Sequence, residues 1–346
     1  MSSPEVTRGG RGSLVGGGVL LLVVVLLAAV VPYAVTLGAL SSLVMLFALV
    51  ILGTTWNLLA GYGGMVSVGQ QAYVGVGGYA LIQLADAVGA PPWLAVPAAG
   101  LIGAALALPT SYLVFRLAGG YFAIGTWVVA EVFRLVTMRI DGLGGGAGLS
   151  LSAFRGTDRV ERVAFVYWFA LGLMVAVVLG TYLLMRSRVG LGLTAIRDDR
   201  VAASSLGVAV DRGRRLVYVA GSAGAALAGA LIALSTLGVT PGSIYSVSWT
   251  AAMIFIVVVG GIGTIEGPLV GAVLYWVLQQ VLAPLGTWYL VVLGAVAVAV
   301  VLLAPRGLWG LVAGSYQFFP TTYRTHRFAA GATVAPGPGR SPRTGR

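Results

Sequence analysis

The sequence predicts an all-α fold: a polytopic transmembrane helix bundle of about ten spans, some short or broken, with both termini cytoplasmic. Three observations lead there. The 346 residues have a mean hydropathy of +0.97 and only 9% are charged, about a third of the share a soluble chain carries. A chain of this kind cannot solvate its own surface in water, so its solvent is lipid. Its apolar runs are long and continuous, as spanning helices require, whereas a membrane barrel shows short alternating segments. The arginines, finally, collect in alternate loops.

Hydropathy places the spans at 14–36, 39–60, 71–86, 91–114, 119–136, 164–185, 216–236, 248–262, 267–283 and 287–304. About 20 apolar residues cross a bilayer, so the third, eighth and ninth are short and expected to be tilted, broken or re-entrant. In the first, Arg8 and Arg11 precede "VLLLVVVLLAAVV" and no small-x-small cleavage site follows. It reads as an uncleaved first helix. The expected organisation is a short cytoplasmic N-terminus (1–13), a transmembrane domain (14–317) and a basic tail (318–346) whose Gly, Pro, Thr and Arg content predicts disorder.

All 21 basic residues are arginine, cysteine is absent and the single histidine is His326. Without lysine there is no Gly-rich phosphate loop ending in Lys-Ser/Thr, hence no Walker-type ATP site. Without cysteine there is no thiol nucleophile, disulfide or thiolate metal site. One tail histidine does not furnish a Ser-His-Asp triad or a His-rich metal site. With the N-terminus inside, 16 arginines fall in inside loops and termini and four (Arg139, Arg155, Arg159, Arg162) outside, with Arg134 in a span. The net charge of +11 is thus an inside-positive bias, not a nucleic-acid footprint.

The inside loop 186–215 concentrates charge: seven arginines face Asp198, Asp199 and Asp211. Apolar Leu193, Ile196, Val201, Ala203 and Leu206 are interleaved with that charge, which predicts a short helix on the membrane's inner face. Gly207 follows as a C-terminal stop, and Asp211 stands where a cap for the next helix is expected. Anchoring to lipid headgroups is one reading of this segment. Its alanines and serines bury little in lipid, however, and suit a groove on another protein better.

The stretch "GYGGMVSVGQQAY" breaks helical regularity with Gly61, Gly63, Gly64 and Gly69 and carries Ser67, Gln70 and Gln71 at membrane depth. Irregular backbone there has to be buried in protein or line a cavity; a tight turn at the inner face is the other reading. "GGIGTIEGP" (260–268) holds a comparable place, with Gly63–Gly69 and Gly261–Gly267 equally spaced, as a degenerate repeat would be. In the fifth span Glu131 and Arg134 share a helix face, as an ion pair or as polar lining. The outside loop 137–163 mixes charges, as solvation requires.

Five stretches, in order, resemble the branched-chain amino acid ABC transporter permeases of the LivM type: "NLLAGYGGMVSVGQQAYVGVGGYA" (57–80), "GGYFAIGTWVVAEVFRLV" (119–136), "SRVGLGLTAIRDDRVAASSLGV" (187–208), "VVVGGIGTIEGPLVGAVL" (257–274) and "PRGLWGL" (305–311). The resemblance implies the permease subunit of an importer in the bacterial inner membrane. Its partners would be a second permease, two ATPase subunits that hold the ATP, and an external substrate-binding protein. The chain itself would carry no cofactor, metal or catalytic site and bind no nucleic acid. The segment 195–207 would be the coupling helix, with Ala195, Ile196, Arg197, Asp198, Asp199, Ala203, Leu206 and Gly207 meeting an ATPase. Candidate pathway residues are Ser67, Gln70, Tyr121, Thr126, Trp127 and Glu131. The long tail and the "GQQ" at Gly69–Gln71 depart from the family's pattern, so the substrate stays open among branched-chain amino acids, other amino acids, urea and amides. The competing class is an ion-coupled carrier acting without ATPases, with Glu131 as its cation site.

Overall fold

The structure is a computed structural model that describes residues 30–313, apart from 34, 287 and 305, together with 6–8 and 323–325. Most of the predicted N-terminus, of the first span and of the tail lies outside the described residues. Where composition predicts a featureless tail, Tyr323–Thr325 pairs antiparallel with Val6–Arg8. Such backbone pairing needs no apolar burial, and tyrosine and threonine favour extended chain.

Every predicted span from the second to the tenth coincides with a helix. In chain order these are α1 (Leu37–Asn57, prolonged by the π-helical turn Leu58–Tyr62), α2 (Gln71–Ile82, prolonged likewise by Gln83–Ala87), α3 (Pro92–Val114), α4 (Gly120–Arg139) and α5 (Arg159–Arg186). Two short helices follow, α6 (Arg188–Asp198) and α7 (Arg200–Ser205). The chain continues through α8 (Val210–Thr236), α9 (Pro241–Ile244), α10 (Val247–Gly260), α11 (Glu266–Leu282), α12 (Trp288–Leu303) and α13 (Gly307–Ala313). Among the described residues seven helical segments are long and apolar enough to cross a membrane. The short third and ninth runs become α2, of 12 residues, and α11, of 17. The eighth gains length from α9, which with α10 makes a segment of 20 residues.

The bundle is built around α8, which packs on α1, α2 and α3. Lipid gives little hydrophobic drive between helices, so close backbone approach holds them together. A Cβ on Gly77 would stand 1.9 Å from the Ala226 carbonyl oxygen, and one on Gly229 1.9 Å from that of Val74. Only glycine lets α2 and α8 come this near. Gly172, on the exposed side of α5, has nothing within 4 Å of such a Cβ.

The loops gather at two ends. At one, the outside loop is tied down: Leu149–Ser150 pairs with Gly238–Val239, the Asp86 carboxylate accepts the Ser152 N–H at 3.0 Å, and Gln83 Nε2 donates to the Gly142 carbonyl at 2.6 Å. The other, arginine-rich end joins residues 61–70, 115–120, 188–215 and 261–265. This alternation is the one the arginine count predicts.

The α2–α8 seam gives a direct test. Gly77→Ala is expected to lower stability by about 1–3 kcal/mol, because the added methyl meets backbone that cannot yield. Gly172→Ala should be neutral or slightly stabilising. Thermal unfolding of the two variants in detergent measures the difference.

Candidate functional site: two glycine loops beneath an arginine-rich helix pair

The predicted single helix over 193–206 is two helices, broken at Asp199. Asp199 is extended (φ −153°, ψ 114°), and its carboxylate accepts the N–H groups of Val201 at 2.8 Å and Ala202 at 3.0 Å. Aspartate serves better as a cap than inside a helix, and here that preference splits the segment. Gly207 does end the pair. At φ +80° it closes a Schellman turn, with Val208 N–H on the Ala203 carbonyl and Gly207 N–H on that of Ser204. Asp211 is not the expected cap. Ala209 holds that position without a side-chain bond, and Asp211 lies in the first turn of α8, where a carboxylate still favours the helix dipole.

The apolar side of the pair turns inward. Leu193, Ile196 and Ala203 are buried against the bundle, and Ala195 is half-buried. Val201 (75% exposed) and Leu206 (82%) point away from it, with Asp198, Asp199 and Gly207 also exposed. The expected coupling residues therefore divide into an inward set and an outward set.

Arg197 joins the pair to the bundle. Its Nη1 donates to the Gly61 carbonyl at 2.9 Å while Nε holds Asp198 at 3.2 Å. The same Nη1 is 3.0 Å from where a Cβ on Gly263 would be. Gly61 and Gly263 are themselves in contact, since a Cβ on Gly61 would stand 2.7 Å from the Gly263 nitrogen. The two glycine loops, about 200 residues apart in sequence, thus meet under one guanidinium. Asn57 locks them: its Oδ1 accepts the Gly263 N–H at 2.8 Å and its Nδ2 donates to the Thr264 carbonyl at 2.7 Å. One primary amide so satisfies a donor and an acceptor that a broken helix leaves free.

The first glycine loop is folded against α1 and α4. Trp56 Nε1 donates to the Ser67 carbonyl at 2.9 Å. Gly69 lies against the Thr126 carbonyl, where a Cβ would stand 1.9 Å away, and Val68 N–H donates to Thr126 Oγ1 at 3.1 Å. Gln70 Nε2 reaches Ser67 Oγ at 3.4 Å, and Gln70 Oε1 is buried without a partner among the described residues.

Three of the six candidate pathway residues, Ser67, Gln70 and Thr126, are thereby brought together and buried. The other three are not with them. Tyr121 (75% exposed), Trp127 and Glu131 lie on the outward face of α4. Glu131 forms an ion pair with Arg134, so the ion-pair reading of these two residues describes the chain on its own. Residues without an assigned role in the sequence reading complete the site. Asn57 locks the loops, Thr250 Oγ1 donates to the buried Gln71 Oε1, and Glu266 is buried at the start of α11. The available signal was a polar side chain beside a glycine break within an apolar run.

At the far end a cavity of about 560 Å³ opens between the paired strands and α10, with Thr236, Thr240, Ser243 and Trp249 in its wall. The long axis of the bundle thus carries an open, largely apolar vestibule at one end, a buried polar cluster inside, and a charged helix pair at the other end.

Residues 38–301 match the family described as branched-chain amino acid transport system / permease component. The high-affinity branched-chain amino acid transport system permease protein LivM of Salmonella typhimurium is 28% identical over 303 residues, 80% of this chain and 71% of that protein. The Escherichia coli protein of the same name matches at the same identity and coverage. A probable branched-chain amino acid transport permease protein LivH of Methanocaldococcus jannaschii is 25% identical over 268 residues, 70% of this chain and 82% of that one. No solved structure matches. The family match runs from α1 into α12 and takes in both glycine loops and the helix pair that Arg197 fastens to them, so the chain belongs to the branched-chain amino acid transport permeases, of the LivM type.

Proposed function

We propose that this permease is one membrane subunit of an ATP-driven importer of branched-chain or related amino acids in the bacterial inner membrane. It works beside a second permease, two ATPase subunits and an external substrate-binding protein, and has no catalytic site of its own. The observation that carries this reading is the Arg197 guanidinium, which reaches from an exposed helix pair to the Gly61 carbonyl. ATP closure of the partner subunits would push on the outward residues Val201 and Leu206. Through Arg197 that push acts on both glycine loops.

Those loops are able to bend. Gly64, Gly261 and Gly263 have φ of +62°, +135° and +77°, a region closed to most side chains. Moving them shifts Ser67 and Gln70 against Thr126, the polar cluster on the route between the two ends. The substrate arrives at the far-end vestibule and passes that cluster when the loops yield. The outward face of α4, with Trp127 and the Glu131–Arg134 pair, is the surface the second permease covers, because a charged pair at membrane depth is otherwise exposed to hydrocarbon.

Three measurements test this. Arg197→Ala in the assembled complex is expected to keep ATP hydrolysis and subunit co-purification while uptake falls about ten-fold, the loss that follows removal of one charge-assisted hydrogen bond; unchanged uptake would rule out the lever. The chain reconstituted alone in liposomes should show no uptake under any ion gradient, and flux without ATPases would favour the ion-coupled carrier. Glu131→Gln should leave the pH profile of uptake unaltered, whereas a cation site at Glu131 predicts loss of coupling to the proton or sodium gradient.

A further inference from the structure

At the arginine-rich end a cavity of about 330 Å³ lies between the first glycine loop, the start of α4 and the helix pair. Two guanidiniums line it, Arg200 from α7 and Arg214 from α8. Arg214 is only 8% exposed and its Nε has no hydrogen-bond partner. The Phe115 ring lies 4.7 Å from the guanidinium carbon. Asp211, one turn back on α8, acts on it as a distant counter-charge, and Arg200 acts as a like charge. Neither Arg200 nor Arg214 forms an ion pair among the described residues.

Two cations sharing one cavity are unfavourable, and a buried guanidinium Nε without a hydrogen bond adds to that cost. The third wall of the cavity has the same sign. Gly119 and Gly120 open α4, a helix of 20 residues with no side chain capping its first turn, so the positive end of its dipole lies at the cavity. No carboxylate lines the cavity. Met65, Val66, Leu117 and Phe122 give it apolar walls, of which Val66 and Leu117 are exposed and Met65 and Phe122 buried.

We propose that this cavity binds a phosphate-class oxyanion, held by Arg200, Arg214 and the N-terminus of α4. The oxyanion is the headgroup phosphate of an anionic phospholipid at this end of the bundle, or free phosphate. Guanidiniums match phosphate with paired charge-assisted bonds, and a helix N-terminus is a ready anion site. The exposed Val66 and Leu117 beside the cavity suit a diester whose acyl chains run back into the bilayer. Bound there, the anion ties α7 to α4 and α8 and braces the helix pair that carries Arg197.

The test uses the purified full-length chain in nonionic detergent, with its unfolding temperature followed against dioctanoyl phosphatidylglycerol, dioctanoylglycerol and inorganic phosphate at constant ionic strength. A saturable rise with a phosphate compound, and none with dioctanoylglycerol, is expected. Arg200→Gln and Arg214→Gln should each weaken apparent affinity about ten-fold or more, and Arg214→Lys should restore part of it. Arg200 is exposed, so its variant reports on binding even if Arg214→Gln does not fold. A response to phosphatidylglycerol alone identifies the lipid as the source, and an equal response to inorganic phosphate identifies the free anion; both uphold the site. Equal affinities in wild type and Arg200→Gln, or no response to either phosphate compound, overturn it.

Discussion

Lipid offers no hydrogen bonds, and that absence governs how this chain is allowed to break its helices. Each backbone group freed at a glycine loop within the bundle has to find its partner in the protein. Asn57, Trp56 and Arg197 supply those partners, to Gly263 and Thr264, to Ser67, and to Gly61. The consequence is mechanical. A segment that would otherwise be a solvated loop becomes part of the bundle's hydrogen bonding, and under the proposed coupling a displacement of it carries the glycine loops along.

Small-residue packing supplies the rigid counterpart. The contacts of Gly77 with Ala226 and of Gly229 with Val74 hold α2 against α8, so α2 has little freedom to follow the loop at its N-terminus. In the proposed cycle motion falls to the glycines between Tyr62 and Gln71 and between Gly260 and Glu266, and the outward face of α4 is the surface a partner covers.

Much of the fold was legible in the sequence because hydropathy and arginine placement answer to bilayer physics alone. The helices after the first span follow the apolar runs within a few residues, and Gly207 ends α7 as its type requires. Local chemistry was harder to read. Asp199 looked like one more charge on a helix, and only its extended backbone shows it as the cap that splits the pair. Ser67, Gln70 and Thr126 are polar residues at membrane depth and came together as expected. Tyr121 and Trp127 were chosen by the same argument yet face outward, since a helix's facing depends on neighbours distant in sequence. Asn57 lay within a stretch already singled out, but its role depends on a contact across 206 residues, which periodicity cannot reveal.

Spin labelling tests the central claim most directly, and the chain has no cysteine to interfere. Nitroxides placed at the exposed positions Val201 and Ile262 would each be paired with one at Gly172 on α5, and both distances measured in the assembled transporter with and without trapped ATP. If Arg197 transmits the push, the two distances change together, to within about 2 Å, the scale of a helix shift. A change at Val201 with none at Ile262 would mean that the helix pair moves without the glycine loops, and would contradict the account.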